Sequence, residues 1–152
     1  MNPAAEAIAL NWQPEGSFHH VGFVVASIQD TVQSFADMLN ADWDGKVFHD
    51  PNQKVRVTFL KSRRAGDPLF ELVEPAGEKS PAQALAVKGG GLHHVCYLVD
   101  KLEEAIARAR SLGALVTREP APAVAFGGRR IAWIYTKNRL LIEYLESSFP
   151  VR

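Results

Sequence analysis

Apolar and polar residues alternate with period two over residues 18–26, which predicts a strand. Phe18, His20, Gly22 and Val24 then share one face, and His19, Val21, Phe23 and Val25 share the other. At Ser27 the period changes. Ser27 is a helix N-cap residue, and Ile28, Val32, Phe35 and Leu39 follow at helical spacing, giving a helix with one buried stripe. A weak strand is predicted over residues 43–49. Asp50-Pro51-Asn52 is turn chemistry, and Val55, Val57 and Phe59 alternate with Arg56 and Thr58 as a clean strand. Residues 61–67 read as a solvated hairpin turn. Residues 69–74 form a closing strand that Pro75 ends.

Residues 78–91 connect two halves. Ser80-Pro81 opens a short helix through Val87, and Gly89-Gly90-Gly91 breaks it. The plan then repeats. Residues 92–99 form a strand, and Asp100 caps a helix with Glu103 at capping-box spacing. Leu102, Ile106, Ala109 and Leu112 make its buried stripe, and Gly113 stops it. A short strand over 115–117, an extended loop over 119–123 with Pro120 and Pro122, and strands over 131–135 and 140–146 complete the chain.

The repetition extends to particular residues. Phe18-His19-His20-Val21 returns as Leu92-His93-His94-Val95, and Phe70-Glu71-Leu72-Val73-Glu74 returns as Ile142-Glu143-Tyr144-Leu145-Glu146. His20 and His94 are 74 positions apart, and Glu71 and Glu143 are 72 apart. The expected fold is α+β, a tandem pair of βαβββ modules forming a curled mixed sheet. Residues 18–79 make the first module, 80–91 a linker helix and glycine hinge, and 92–148 the second. Residues 1–17 are read as a flexible N-terminal arm, tacked down by Trp12. One helix covers one face of each module, so the uncovered faces enclose a cup.

Alternation places His20 and His94 on the faces opposite their apolar, helix-packing neighbours, and Glu71 and Glu143 likewise. Two imidazoles and two carboxylates suit a divalent first-row cation with two positions left for water or substrate oxygens. Such an ion is a Lewis acid able to stabilise an enolate. Without it, two inward glutamates would raise each other's pKa. A lone strand histidine is weak evidence, and the weight comes from four residues at symmetric positions. His19 and His93 fall on the other face as packing or edge residues. His49, Glu74 and Glu146 read as surface groups, and Cys96 as a small apolar filler. Val57, Phe59, Trp133 and Leu141 give the cup apolar walls.

Composition narrows the partners. The 152 residues are 47% hydrophobic and 22% charged, with a formal net charge of 0, so no basic field points to nucleic acid or an anionic membrane. No apolar run approaches the roughly 20 residues of a membrane span. Residues 1–16 carry no Lys or Arg and resemble neither a secretory signal nor a transit peptide. Cys96 is the single cysteine, which excludes an internal disulfide and makes a reducing cytoplasm the expected location.

Taken together, the His-His-Val strand, the Ser-Pro helix, Gly-Leu-His-His, Val-Asp with a following Glu, Gly-Gly-Arg-Arg and Leu-Ile-Glu resemble the vicinal oxygen chelate superfamily. Glyoxalase I, bleomycin-resistance proteins, extradiol dioxygenases and methylmalonyl-CoA epimerase are members, and the epimerase branch is the nearest. The resemblance spans residues 18–146. It implies metal ligands at His20, Glu71, His94 and Glu143, a divalent metal (Co, Ni, Zn, Mn or Mg), and a homodimer. The second ligand is Gln in some epimerases and Glu in the glyoxalase I pattern, so Glu71 does not separate the branches. Glu143 or Glu71 would leave the ion to act as base, as proposed for glyoxalase I. A Glu proposed as base in some relatives falls on Val57, and Gln53 matches a Gln common in epimerases. Arg129 and Arg130 would meet a substrate carboxylate or phosphate beside Trp133. The expected function is a metal-dependent epimerase, isomerase or lyase. It would act on a small carbonyl or acyl-CoA thioester through a metal-stabilised enolate. The alternatives are a glyoxalase I-like lyase and a non-catalytic small-molecule-binding protein. An extradiol dioxygenase would need an open two-His, one-carboxylate face, and the fourth ligand argues against it.

Overall fold

A computed structural model describes residues 16–147. The expected arm therefore lies outside the described residues except for Gly16 and Ser17, which belong to the first strand and pair with Val99 and Leu98. Trp12 lies outside as well. The first half runs β1 (Gly16–Val24), α1 (Ile28–Met38), β2 (Ala41–Trp43), β3 (Phe48–Asp50), β4 (Val55–Ser62) and β5 (Leu69–Pro75). After α2 (Gln83–Val87), the second half runs β6 (Gly91–Val99), α3 (Leu102–Ser111), β7 (Leu115–Pro122), a 3-10 turn (Val124–Phe126), β8 (Arg130–Tyr135) and β9 (Leu141–Glu146).

The nine strands among the described residues form one mixed sheet in the order β2-β4-β5-β1-β6-β9-β8-β7, with β3 beside β4. The order reads as its own mirror about the antiparallel β1–β6 pair. β5 lies parallel to β1, and β9 lies parallel to β6. Each half covers its outer face with a helix. Ile28, Val32 and Ala36 of α1 pack on Leu60 and Leu72, and Leu102, Ala105, Ile106 and Ala109 of α3 pack on Ala132 and Ile134. Val24, Val55, Val57 and Val73, and across the axis Ile131 and Leu145, line the opposite face. The result is a curled mixed sheet with one face under the helices and the other turned away from them.

Several local expectations change. Residues 43–49 split into two short strands, β2 and β3, that pair with different stretches of β4. Residues 119–122 extend β7, although Pro120 and Pro122 suggested a loop. β7 is an edge strand, where a missing N–H on the open side goes unnoticed. Two register shifts against β8 absorb the irregularity. Ser27 does cap α1, accepting from the Asp30 N–H at 3.2 Å, and Glu74 adds a second acceptor for the Ile28 N–H at 2.7 Å. The α3 cap is different: Lys101 occupies the cap position, and no side chain bonds there. Leu112 lies beyond the last turn of α3 and is exposed, so Ala105 takes its place in the stripe.

Candidate active site

Strand register brings the repeated histidines and glutamates together in two rows. Glu71 on β5 lies beside Gly22 on β1, which faces His94 on β6. Glu143 on β9 lies beside Cys96 on β6, which faces His20 on β1. Each row therefore combines a glutamate of one half with a histidine of the other, and neither half builds the cluster alone. His20 Nε2 lies 3.1 Å from His94 Nε2, 3.3 Å from Glu71 Oε2 and 3.4 Å from Glu143 Oε1. His94 Nε2 lies 3.0 Å from Glu71 Oε2. All four side chains are buried, with exposures from 0% for His20 to 4% for Glu71.

These separations can be tested against a cation. Ligand bonds of about 2.1 Å place neighbouring donors about 3.0 Å apart in an octahedron and about 3.4 Å apart in a tetrahedron. The mutual separations of His20, Glu71 and His94, 3.0–3.3 Å, fall in that interval, and Glu143 Oε1 adds a donor 3.4 Å from His20. Moreover, Glu143 Oε1 is buried without a hydrogen-bond partner, an arrangement that is costly for a carboxylate unless a cation meets it. The donor set fits a divalent ion. His20, Glu71 and His94 are the mutually close donors, with Glu143 beside His20, and a second grouping, His19, His20 and Cys96, shares His20. Cys96 is the poorer donor there, since burial and the Glu143 carboxylate push its thiol pKa well up.

Electrostatics divide the carboxylates. Burial opposes ionisation of Glu71, but His20 and His94 override it and hold its pKa far below the usual range. Glu143 moves the other way, because burial, reinforced by the Glu71 charge, outweighs His94 and His20 and raises its pKa. For His20, burial resists protonation, and the Glu71 and Glu143 carboxylates reverse that, raising its pKa.

The family model for the Glyoxalase/Bleomycin resistance protein/Dioxygenase superfamily matches residues 19–133. The chain belongs to this superfamily. Ethylmalonyl-CoA/methylmalonyl-CoA epimerase of Cereibacter sphaeroides is 28% identical over 132 residues, covering 84% of this chain and 96% of that protein. An uncharacterized protein of Bacillus subtilis is 32% identical over 134 residues, covering 84% and 89%. The crystal structure of methylmalonyl-CoA epimerase from Mycobacterium tuberculosis superposes with a TM-score of 0.73 at 26% identity, covering 87% of this chain and 88% of that one.

In this superfamily member the cluster opens on a cavity of about 360 Å³. Its walls include Val57, Trp133 and Leu141, as the alternation predicts, while Phe59 packs against the His20 ring. His93 also lines the cavity, and His19 Nδ1 lies 2.8 Å from His20 Nδ1, so neither is on the far face. The two arginines at the Gly127-Gly128 turn go elsewhere. Arg130 donates to both Glu146 oxygens, at 3.0 and 2.6 Å, and to Glu103 at 2.7 Å, and it does not line the cavity. Arg129 donates to the Phe126 carbonyl at 3.3 Å and lies over the Phe126 ring.

Sequence reading passed over Arg118, Asp50 and Phe126 as site residues and named Gln53 without a role. Arg118 is the cationic side chain lining the cavity among the described residues, and its one hydrogen bond goes to the Asn52 carbonyl at 3.2 Å. It faces Trp133 across β7–β8, and Trp133 faces Glu143 across β8–β9, so it stands two strands from the donor cluster. Gln53 bridges the halves: its amide donates to Asp50 at 3.0 Å, and its carbonyl accepts from the Trp133 indole at 3.1 Å. Buried Asp50 also accepts from the Val124 N–H of the second half. Phe126 stacks near the His20 ring. The only sequence signal was the Gln53 resemblance; the rest arises from pairing of distant strands. Among the described residues, no helix is long and apolar enough to cross a membrane.

Proposed function

We propose that the protein is a divalent-metal-dependent epimerase acting on an acyl-CoA thioester with an acidic proton next to the carbonyl. Three buried donor atoms of His20, Glu71 and His94, 3.0–3.3 Å apart, with Glu143 Oε1 3.4 Å from His20 and Glu71, His94 and Glu143 lining a cavity, carry this reading. The epimerase relatives support it. His20, Glu71, His94 and Glu143 would hold the cation. A divalent ion there would supply a Lewis acid able to polarise a thioester carbonyl and so ease loss of the neighbouring proton.

A carboxylate takes the proton. Glu143 is the better base once it leaves the cation, because burial raises its pKa and its Oε1 has no hydrogen-bond partner. Inverting a centre also requires a proton from the opposite side. Glu71 and Glu143 are related by the pseudo-twofold axis between β1 and β6. A planar intermediate whose plane contains that axis presents opposite faces to the two. Glu143 takes the α-proton from one face and the bonding electrons pass to the carbonyl; solvent water on the Glu71 side protonates the opposite face, and the hydroxide left behind takes the proton from Glu143. Arg118 supplies a cation for an anionic part of the substrate.

The test is solvent proton exchange in D₂O against a panel of 2-substituted malonyl-CoA thioesters, simple acyl-CoA thioesters and glutathione hemithioacetals. Exchange with the malonyl-type thioesters is expected. Turnover of the hemithioacetals alone would establish the glyoxalase I-like lyase instead. Tight binding without exchange would establish a small-molecule-binding protein.

A further inference from the structure

His19 and His93 stand on two β-bulges placed symmetrically in the β1–β6 pair. Phe18 faces Tyr97 and His20 faces Cys96, which leaves His19 unpaired. Gly22 faces His94 and Phe23 faces Leu92, which leaves His93 unpaired. An extra residue bends its strand and re-aims its side chain. Each bulge here turns a ring back onto the histidine that follows it. His19 Nδ1 lies 2.8 Å from His20 Nδ1, and His93 Nδ1 lies 2.8 Å from His94 Nδ1. An aromatic ring holds each pair: Phe126 against His19 and His20, and Trp133 against His93 and His94.

Proton counting then assigns roles. Two facing ring nitrogens form a hydrogen bond only when one carries a proton and the other a lone pair. His20 and His94 turn their Nε2 atoms into the donor cluster. A ring that gives its Nε2 lone pair to a cation keeps its proton on Nδ1. We propose that His19 and His93 are positioning residues, each accepting the Nδ1–H of the next histidine and so fixing that ring's Nε2 as a lone-pair donor. This rests on the cation reading given above. The bulge is what makes it possible, because regular alternation would send adjacent side chains to opposite faces. Partners of this kind behind a ligand histidine contribute about 10–100-fold to metal affinity.

Two substitutions at each position separate hydrogen bonding from packing. His19→Phe keeps a flat ring against Phe126 but offers no acceptor, whereas His19→Asn gives up the ring and offers a carbonyl oxygen. His93→Phe and His93→Asn do the same beside Trp133. Zn²⁺ affinity is read by competition with a chelator. ¹⁵N NMR of the Zn²⁺-loaded protein reads the nitrogen–nitrogen coupling across each hydrogen bond. The wild type is expected to show coupling within both pairs. Each Phe variant is expected to lose its own coupling and bind Zn²⁺ about 10–100-fold more weakly, and each Asn variant to stay within about threefold of wild type. Folded Phe variants that bind Zn²⁺ as tightly as wild type, or a wild type without coupling, would overturn this inference alone. A wild type that takes up no Zn²⁺ would overturn the cation reading, and this inference with it.

Discussion

Gly22 lies directly across the β1–β6 pair from His94, and the imidazole occupies the space where a side chain at Gly22 would stand. A Cβ there would overlap His94 Cε1, Nδ1 and Nε2. The glycine is needed for space, because it carries no positive φ. Gly22→Ala is expected to drive His94 out of the cluster, with a stability loss of about 1–3 kcal/mol from overpacking. Chelator competition should show Zn²⁺ affinity falling at least about tenfold. Unchanged affinity would mean that His94 is not a ligand.

The same pair shows what was readable in advance. The faces of β1, β5, β6 and β9 followed from period-two alternation, and the duplication picked out His20, Glu71, His94 and Glu143 as the residues that the sheet would bring together. What escaped depends on long-range pairing. The bulges that turn His19 and His93 inward exist only because β1 and β6 slip against each other at two points. The Gln53–Trp133 bond joins residues 80 positions apart. Pro120 and Pro122 read as loop residues because the sequence does not announce that β7 is an edge strand. Arg130 stood out in a Gly-Gly-Arg-Arg turn, but the acids that occupy it come from α3 and β9.

Asp50 makes stability sensitive to acid. Burial disfavours its ionisation. The Gln53 amide, with the N–H groups of Gln53, Val124 and Asn52, overcomes that and lowers its pKa. A depressed carboxylate pKa stabilises the fold above the unfolded value of about 4, and the contribution is lost as pH falls through the folded value. Scanning calorimetry should therefore show the wild-type Tm falling more steeply below about pH 4 than that of Asp50→Asn. At pH 7 Asp50→Asn should cost about 1–3 kcal/mol, since one oxygen that accepts from Gln53 or Val124 becomes a donor. Parallel acid profiles would remove Asp50 from this role.

Glu143 and Glu71 should separate in kinetics. Glu143→Gln keeps the shape but cannot take a proton, so exchange should fall by about 10²–10⁴-fold. Zn²⁺ uptake should weaken less, because the amide oxygen remains available. Glu71→Gln should retain more exchange, since the neighbouring His20 and His94 override burial and hold the Glu71 pKa low, making it the weaker base. It should also slow inversion relative to exchange, because only inversion needs its face. The ratio of deuterium uptake to epimerised product measures this. Equal effects of both substitutions on that ratio would contradict the two-face assignment.

Arg118 and Arg130 give the sharpest contrast between a substrate-facing and a structural arginine. Arg118 lines the cavity and spends one donor on a backbone carbonyl, leaving the rest of its guanidinium to a guest. Arg118→Ala should raise KM about 10–100-fold with kcat little changed, the pattern of a lost binding contact made equally in ground and transition states. Comparing malonyl-type thioesters of CoA with those of N-acetylcysteamine, which lacks phosphates, shows which anion it meets. If the defect persists with the phosphate-free thioester, Arg118 holds the acyl carboxylate; if it vanishes, Arg118 holds a CoA phosphate. Arg130→Ala breaks the tie to Glu146 and Glu103 instead. It should lower Tm and leave KM within about twofold of wild type. A KM change confined to Arg130→Ala would return the anion site to the glycine turn and take it away from β7.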